Sequence, residues 1–96
     1  MTYELQFLQP ALEEWKRLAE PIRLQFKKKL KSVIQEPKIP KQKLRGASNR
    51  YKIKLRTLGY RLVYEVSDKT VTVTVIAVGK RDKNSVYRAA ENRTSV

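Results

Sequence analysis

The chain contains no cysteine and no histidine. Without cysteine there are no disulfides and no thiolate metal sites, a composition compatible with a reducing cytosol. Without histidine there is no imidazole to act as general base, proton shuttle or zinc ligand. Chemistry near neutral pH must then fall to lysine, arginine, tyrosine, carboxylates or a hydroxyl. No apolar run approaches the roughly 18–20 residues that cross a bilayer, and the N-terminus lacks a basic-then-apolar signal pattern. Neither membrane insertion nor a secretory leader is expected. One further absence is local: between Lys38 and Arg61 there is no aspartate or glutamate.

What fills that window is positive charge. Lys38, Lys41, Lys43, Arg45, Arg50, Lys52, Lys54, Arg56 and Arg61 supply nine of the thirteen net charges of the chain. Basic and apolar residues alternate there at strand spacing, which makes a folded cationic surface and not a loose tail. Such a surface in a small protein most often faces a phosphate backbone, with affinity that falls steeply with salt. At 96 residues and 41% apolar content the chain has material for one modest core, so residues 1–96 are expected to form a single domain.

Tyr3 to Phe7 alternates and predicts a short first strand. Pro10 suits the first turn of a helix, where its missing donor costs nothing. Ala11, Leu12, Trp15, Leu18 and Ala19 follow at helical spacing. Pro21 opens a second helix whose apolar stripe is Ile22, Phe26, Leu30 and Val33/Ile34, with Lys27, Lys28, Lys29 and Lys31 directed to water. An irregular loop carrying Pro37 and Pro40 leads to three strands. Arg50 to Arg56 and Tyr60 to Val66 are joined by a hairpin at Thr57-Leu58-Gly59, and Val71 to Val78, rich in Val and Thr, predicts a central strand ending at Gly79. A short last helix, capped by Asp82 or Ser85, should run through Ala90. The fold class is therefore α+β. An N-terminal helical hairpin packs on one face of a small, mostly antiparallel four-stranded sheet, in the order β-α-α-β-β-β-α, and the opposite face is basic and open.

If Ile53 and Leu55 point to the helices, Lys52 and Lys54 point away, and Arg61 can reach the same face across the hairpin. Lys80 and Arg81 end the last strand, and the final helix carries Tyr87. Cations can hold phosphate there while the ring stacks on an unpaired base. Glu65, Asp68 and Asp82 make no ligand-like constellation, so no metal and no other cofactor is expected. A metal-free route on RNA uses the ribose 2′-OH as nucleophile, with a base, cations to stabilise the phosphorane, and an acid for the leaving 5′-oxygen. Lysines crowded by like charges release their protons more readily, and Lys52 and Lys54 are such neighbours. Taken alone, these same lysines could be solvated strand residues that discourage association of the open sheet.

The runs Lys43-Leu44-Arg45-Gly46, Tyr51-Lys52-Ile53-Lys54-Leu55-Arg56, Gly59-Tyr60-Arg61-Leu62-Val63-Tyr64 and Val78-Gly79-Lys80-Arg81, with Val86-Tyr87, resemble the RelE toxins of the RelE/ParE superfamily. The resemblance covers nearly the whole chain, including Leu12-Glu13-Glu14-Trp15. It implies a cytoplasmic toxin of bacteria or archaea that cuts messenger RNA in the ribosomal A site without metal. It also implies silencing by a RelB-like antitoxin, with operator DNA bound through the toxin–antitoxin complex. Carried over by motif, Lys52 and Lys54 supply the base and phosphate stabilisation, Arg61 holds the scissile phosphate, and Arg81 serves the leaving group. Tyr87 stacks on the substrate base and helps position or deprotonate the 2′-OH. Lys43, Arg45, Arg56 and Lys80 bind flanking RNA. The resemblance does not choose among Lys52, Lys54 and Tyr87 as the base. Two other functions stay open on the same scaffold: a non-enzymatic gyrase inhibitor like the ParE branch, and a plain ribosome- or RNA-binding module.

Overall fold

The computed structural model describes residues 2–44, 46, 49–80 and 85–93. In chain order these form β1 (Glu4–Phe7), α1 (Gln9–Arg17), α2 (Glu20–Val33), a 3-10 turn at Pro40–Gln42, β2 (Arg50–Leu55), β3 (Tyr60–Ser67), β4 (Thr72–Lys80) and α3 (Ser85–Glu91). This is the expected order of elements. In space the strands run β1-β4-β3-β2, with β1 parallel to β4 and the other pairs antiparallel. β4 is central, as its Val/Thr content suggests, but it does not stop at Gly79; pairing continues to Lys80.

Both N-terminal helices have proline in the first turn, where a missing N–H orphans nothing. The turn between them is Leu18-Ala19, not Ala19-Glu20 as Pro21 at a helix start suggests, because Glu20 is already helical. The Arg23 guanidinium donates to the carbonyls of Lys16 (3.1 Å) and Leu18 (2.9 Å), satisfying the open end of α1. Trp15 lies between Phe7 and Phe26, at ring distances of 5.3 and 6.2 Å, and so joins strand, first helix and second helix. Phe26, Leu30 and Val33 of α2 and Ala11 of α1 bury against Tyr51, Ile53, Leu55, Leu62, Tyr64, Val66, Val73, Val75 and Val78. Tyr64 stacks on Tyr51 at 5.6 Å, and its hydroxyl donates to the carbonyl of Pro37 at 2.8 Å, which pins the crossing loop to the sheet. Burial pushes this phenol far above its ordinary range, so it remains a donor.

The second face of the sheet is not left open. α3 packs across it, and Val63, Ile76 and Ala77 meet Val86 and Ala90 in a small second core. The cause is a bulge: Val63 pairs with Ala77 but Tyr64 pairs with Val75, so Ile76 is the extra residue. Two consecutive β4 residues, Ile76 and Ala77, thereby join that second cluster, which strict alternation does not anticipate.

β1 is also too short to cover β4. Its partners stop at Val75, and Leu8 N–H donates to the Val75 carbonyl at 3.0 Å just before the chain turns into α1. Beyond that point side chains replace the missing strand. The Val78 N–H donates to Glu14 Oε1 at 3.2 Å, and the Ile76 carbonyl accepts from Arg93 at 2.9 Å. Arg93 in turn grips both Glu14 oxygens, at 2.8 and 3.1 Å. Side chains thus pair two backbone groups of the central strand beyond the end of β1.

Candidate active site

Alternation along β2 gives buried Tyr51, Ile53 and Leu55, with Lys52 and Lys54 half-buried between them. Lys54 lies directly opposite Arg61, and Lys52 opposite Val63. These three cations therefore share the sheet face turned away from α1 and α2. Like charges directly across a ladder repel one another. A phosphate placed between Lys54 and Arg61 would offer both cations an attractive contact.

The fourth member comes from α3. The Arg61 guanidinium carbon sits 5.1 Å from the centroid of the Tyr87 ring, a cation–π contact. Tyr87 is half-buried, and its hydroxyl is shielded from solvent with no hydrogen-bond partner among the described residues. The structure thus brings together Lys52, Lys54, Arg61 and Tyr87 of the sequence-based set. Arg81 and Arg45 lie outside the described residues.

The flanking candidates fall less tightly. Arg56 is exposed just past the end of β2, continuous with the cationic face. Lys43 is exposed and forms an isolated bridge with Tyr51 at the sheet edge. Lys80 pairs with Tyr60, whereas Arg61 pairs with Gly79. Register therefore places Lys80 on the opposite phase from Arg61, at an exposed strand end. It is not brought to the face that carries Lys54 and Arg61.

The acid-free window is divided in use. Lys38 pairs with Asp68, which also accepts from the Tyr3 hydroxyl at 2.9 Å. The Lys38 contact first and the Tyr3 contact second hold the Asp68 carboxyl below the usual carboxylate range. Arg50 donates through Nε to Glu65 at 2.9 Å and reaches the carbonyls of Ala90 and Arg93, the latter at 2.5 Å. Both cations are taken up by acids from elsewhere in the chain. In their place the fold recruits others. Lys28 and Lys29 of α2 and Lys41 of the 3-10 turn join Lys52, Lys54 and Arg56 around an open groove of about 1040 Å³. It runs between α2 and the β2 edge, beside the cationic face.

Among the described residues, no carboxylate lines this groove. Among the described residues no group of three His, Cys, Asp or Glu could hold a metal ion. In the sequence Lys28 and Lys29 read first as part of a water-facing helix, with contact to ribosomal RNA as the second reading. Their partnership with β2 depends on how α2 crosses the sheet, which helical periodicity does not give.

Fold and site together define a small basic α+β protein with a cationic sheet face, in a chain free of histidine. The sequence model for the ParE toxin of type II toxin-antitoxin systems, parDE, matches residues 5–85. The mRNA interferase toxin RelE of Escherichia coli (strain K12) is 52% identical over 93 residues, covering 97% of this chain and 98% of that protein. The structure of a variant of E. coli RelE with two arginines replaced by alanine, in the free state, superposes with a TM-score of 0.90. It is 50% identical and covers 97% of this chain and 98% of its own. The same variant in complex with an antitoxin RelBc peptide gives a TM-score of 0.83 at 48% identity, covering 100% and 99% of the two chains. The chain belongs to the RelE/ParE toxin family, and these relatives place it beside the RelE proteins within it.

Proposed function

We propose that this protein is the toxin of a type II toxin–antitoxin system, an endoribonuclease that cleaves messenger RNA on the ribosome without a metal ion. The observation that carries this is the cationic face formed by Lys52, Lys54 and Arg61, with the Tyr87 ring beneath Arg61. In this reaction the 2′-OH attacks the adjacent phosphorus. A base accepts the hydroxyl proton, a pentavalent phosphorane forms, and the 5′-oxygen leaves with a proton. The products are a 2′,3′-cyclic phosphate and a 5′-hydroxyl.

The shielded hydroxyl of Tyr87 favours Lys52 or Lys54 as the proton acceptor. It leaves the ring to hold the Arg61 guanidinium against the developing phosphorane charge. Arg81, assigned by family motif, supplies the acid side of the reaction. The lysine-lined groove beside the face holds flanking or ribosomal RNA through phosphates. The relative solved with an antitoxin RelBc peptide supports a RelB-like antitoxin as partner here. We assign any operator DNA binding to that complex and not to the toxin alone.

The family model that matches is described as ParE, and this favours a second function, inhibition of gyrase without bond cleavage. One experiment separates the two. In a purified translation system the wild-type protein should generate new mRNA 3′ ends within A-site codons, carrying cyclic phosphate. Intact message combined with inhibited DNA supercoiling would establish the gyrase function instead.

A further inference from the structure

We propose that Arg50 is a positioning residue for this active site: by fastening the C-terminal end of α3 to the sheet, it fixes Tyr87 under the Arg61 guanidinium. The role rests on the proposed reaction and adds a residue that touches neither RNA nor the reacting atoms.

α3 is a weakly held element. With seven residues it spans about 10 Å and has little stability of its own, since isolated helices of fewer than about 12 residues are marginal. Its apolar anchors are small: Val86 and Ala90 are buried, with Ala89 and Tyr87 partly so. Such a patch holds a helix near the sheet but does not fix its rotation or axial position.

Directed bonds do that. Arg50, at the first position of β2, places three guanidinium nitrogens on three acceptors: Glu65 Oε2, the Ala90 carbonyl and the Arg93 carbonyl. The Ala90 carbonyl is in the last turn of α3 and the Arg93 carbonyl two residues beyond it, at the end of a helix where positive charge is favoured. Glu65 fixes the fork from below, because Arg50 and Glu65 are cross-strand partners on β2 and β3. On the other side of the helix end, Arg93 is clamped to Glu14 and the Ile76 carbonyl. The C-terminus of α3 is therefore tied to α1, β2, β3 and β4 by polar side chains that are all less than a third exposed.

Tyr87 is one turn upstream of these ties, and its ring is the contact between α3 and the catalytic cations. The link runs Glu65, Arg50, α3, Tyr87, Arg61. A displacement of about 1 Å at a reacting group can cost on the order of a hundredfold in rate. Loss of the fork should thus be felt in the chemical step and not in RNA affinity.

The test uses the full-length toxin on mRNA-programmed ribosomes with four variants: Arg50→Ala, Arg50→Lys, Glu65→Gln and Tyr87→Ala. Arg50→Ala should lower kcat by about tenfold or more with KM within about twofold. Amide exchange over residues 86–91 should accelerate at least about tenfold while β3 and β4 keep their protection. Arg50→Lys keeps the charge but cannot span three acceptors, so it should stay within about threefold of the alanine variant. Recovery by lysine, or a rise in KM alone, would make Arg50 a phosphate contact and overturn the proposal. Glu65→Gln removes an anion near the site yet should lower kcat; a gain in activity would also overturn it. Undiminished cleavage by Tyr87→Ala would remove the link through which Arg50 acts and overturn the proposal, whereas intact message with the wild-type toxin would overturn the reaction assigned to the site. Loss with Tyr87→Ala and none with Arg50→Ala would sink the positioning role alone.

Discussion

Replacing Glu14 by alanine removes the acceptor that stands in for a missing strand. Two interactions go together: the forked contact with Arg93 and the hydrogen bond from the Val78 N–H. A hydrogen bond to a charged group contributes about 1.5–3 kcal/mol, and a backbone donor left unpaired in a buried setting costs at least about 1 kcal/mol. The side chains of Arg93 and Glu14 are 21% and 29% exposed, so water recovers part of this. The net expectation is a loss of about 2–3 kcal/mol. For a domain near 100 residues, with about 4–8 °C per kcal/mol, the melting temperature should fall by roughly 10–20 °C. Glu14→Gln retains an acceptor for Val78 but not the charge, and should lose about half as much. Urea unfolding of both variants, with Arg93→Ala and the double variant to close the cycle, measures the coupling directly. A loss below about 0.5 kcal/mol for Glu14→Ala would refute the idea that these side chains complete the ladder of β4.

Three further outcomes follow from other parts of the structure. Phe26→Ala opens a cavity in the main core beside Trp15, and equilibrium unfolding should show a loss of about 3–5 kcal/mol. The Asp68 carboxyl titrates lower in the folded chain than in the unfolded one, so its contribution is present above the ordinary carboxylate range and is lost as pH falls through the folded value. Asp68→Asn should therefore flatten the acid limb of the stability profile, with a small amplitude because the pair is exposed. If Lys28 and Lys29 hold phosphates in the groove, replacing both by glutamine should weaken ribosome binding. It should also make the slope of log affinity against log salt shallower by about 1–2, read by filtration binding across a salt series.

The architecture was legible because its determinants are periodic. Helical spacing from Ala11 to Leu18 and from Ile22 to Val33 locates both helices, and alternation sets Lys52 and Lys54 on the face opposite Ile53 and Leu55. Two features broke the period and were missed. The bulge at Ile76 breaks the two-residue repeat of β4, and with it went the second small core that α3 covers. The early end of β1 leaves half of β4 to be completed by Glu14 and Arg93, which are 79 residues apart and carry no shared signal in the sequence. Charge was legible in amount but not in use. Arg50 and Lys38 belong to the acid-free basic window of the sequence, yet each is committed to an internal acid, whereas Lys28 and Lys29 join the groove from another element. Side-chain pairing over long separations decides such cases, and composition does not contain it.

In the proposed reaction, lysine and arginine on the β2–β3 face perform the chemistry as well as hold the RNA. Single-turnover cleavage of ribosome-bound mRNA, measured for the wild type and for Lys52→Ala/Lys54→Ala at saturating toxin, separates the two directly. The doubly substituted protein should bind programmed ribosomes within about tenfold of wild type while its cleavage rate falls by about a hundredfold or more, the range of a lost general base. Cleavage at the wild-type rate once binding is saturated would contradict the account, because the face would then be a grip and the catalyst would lie elsewhere.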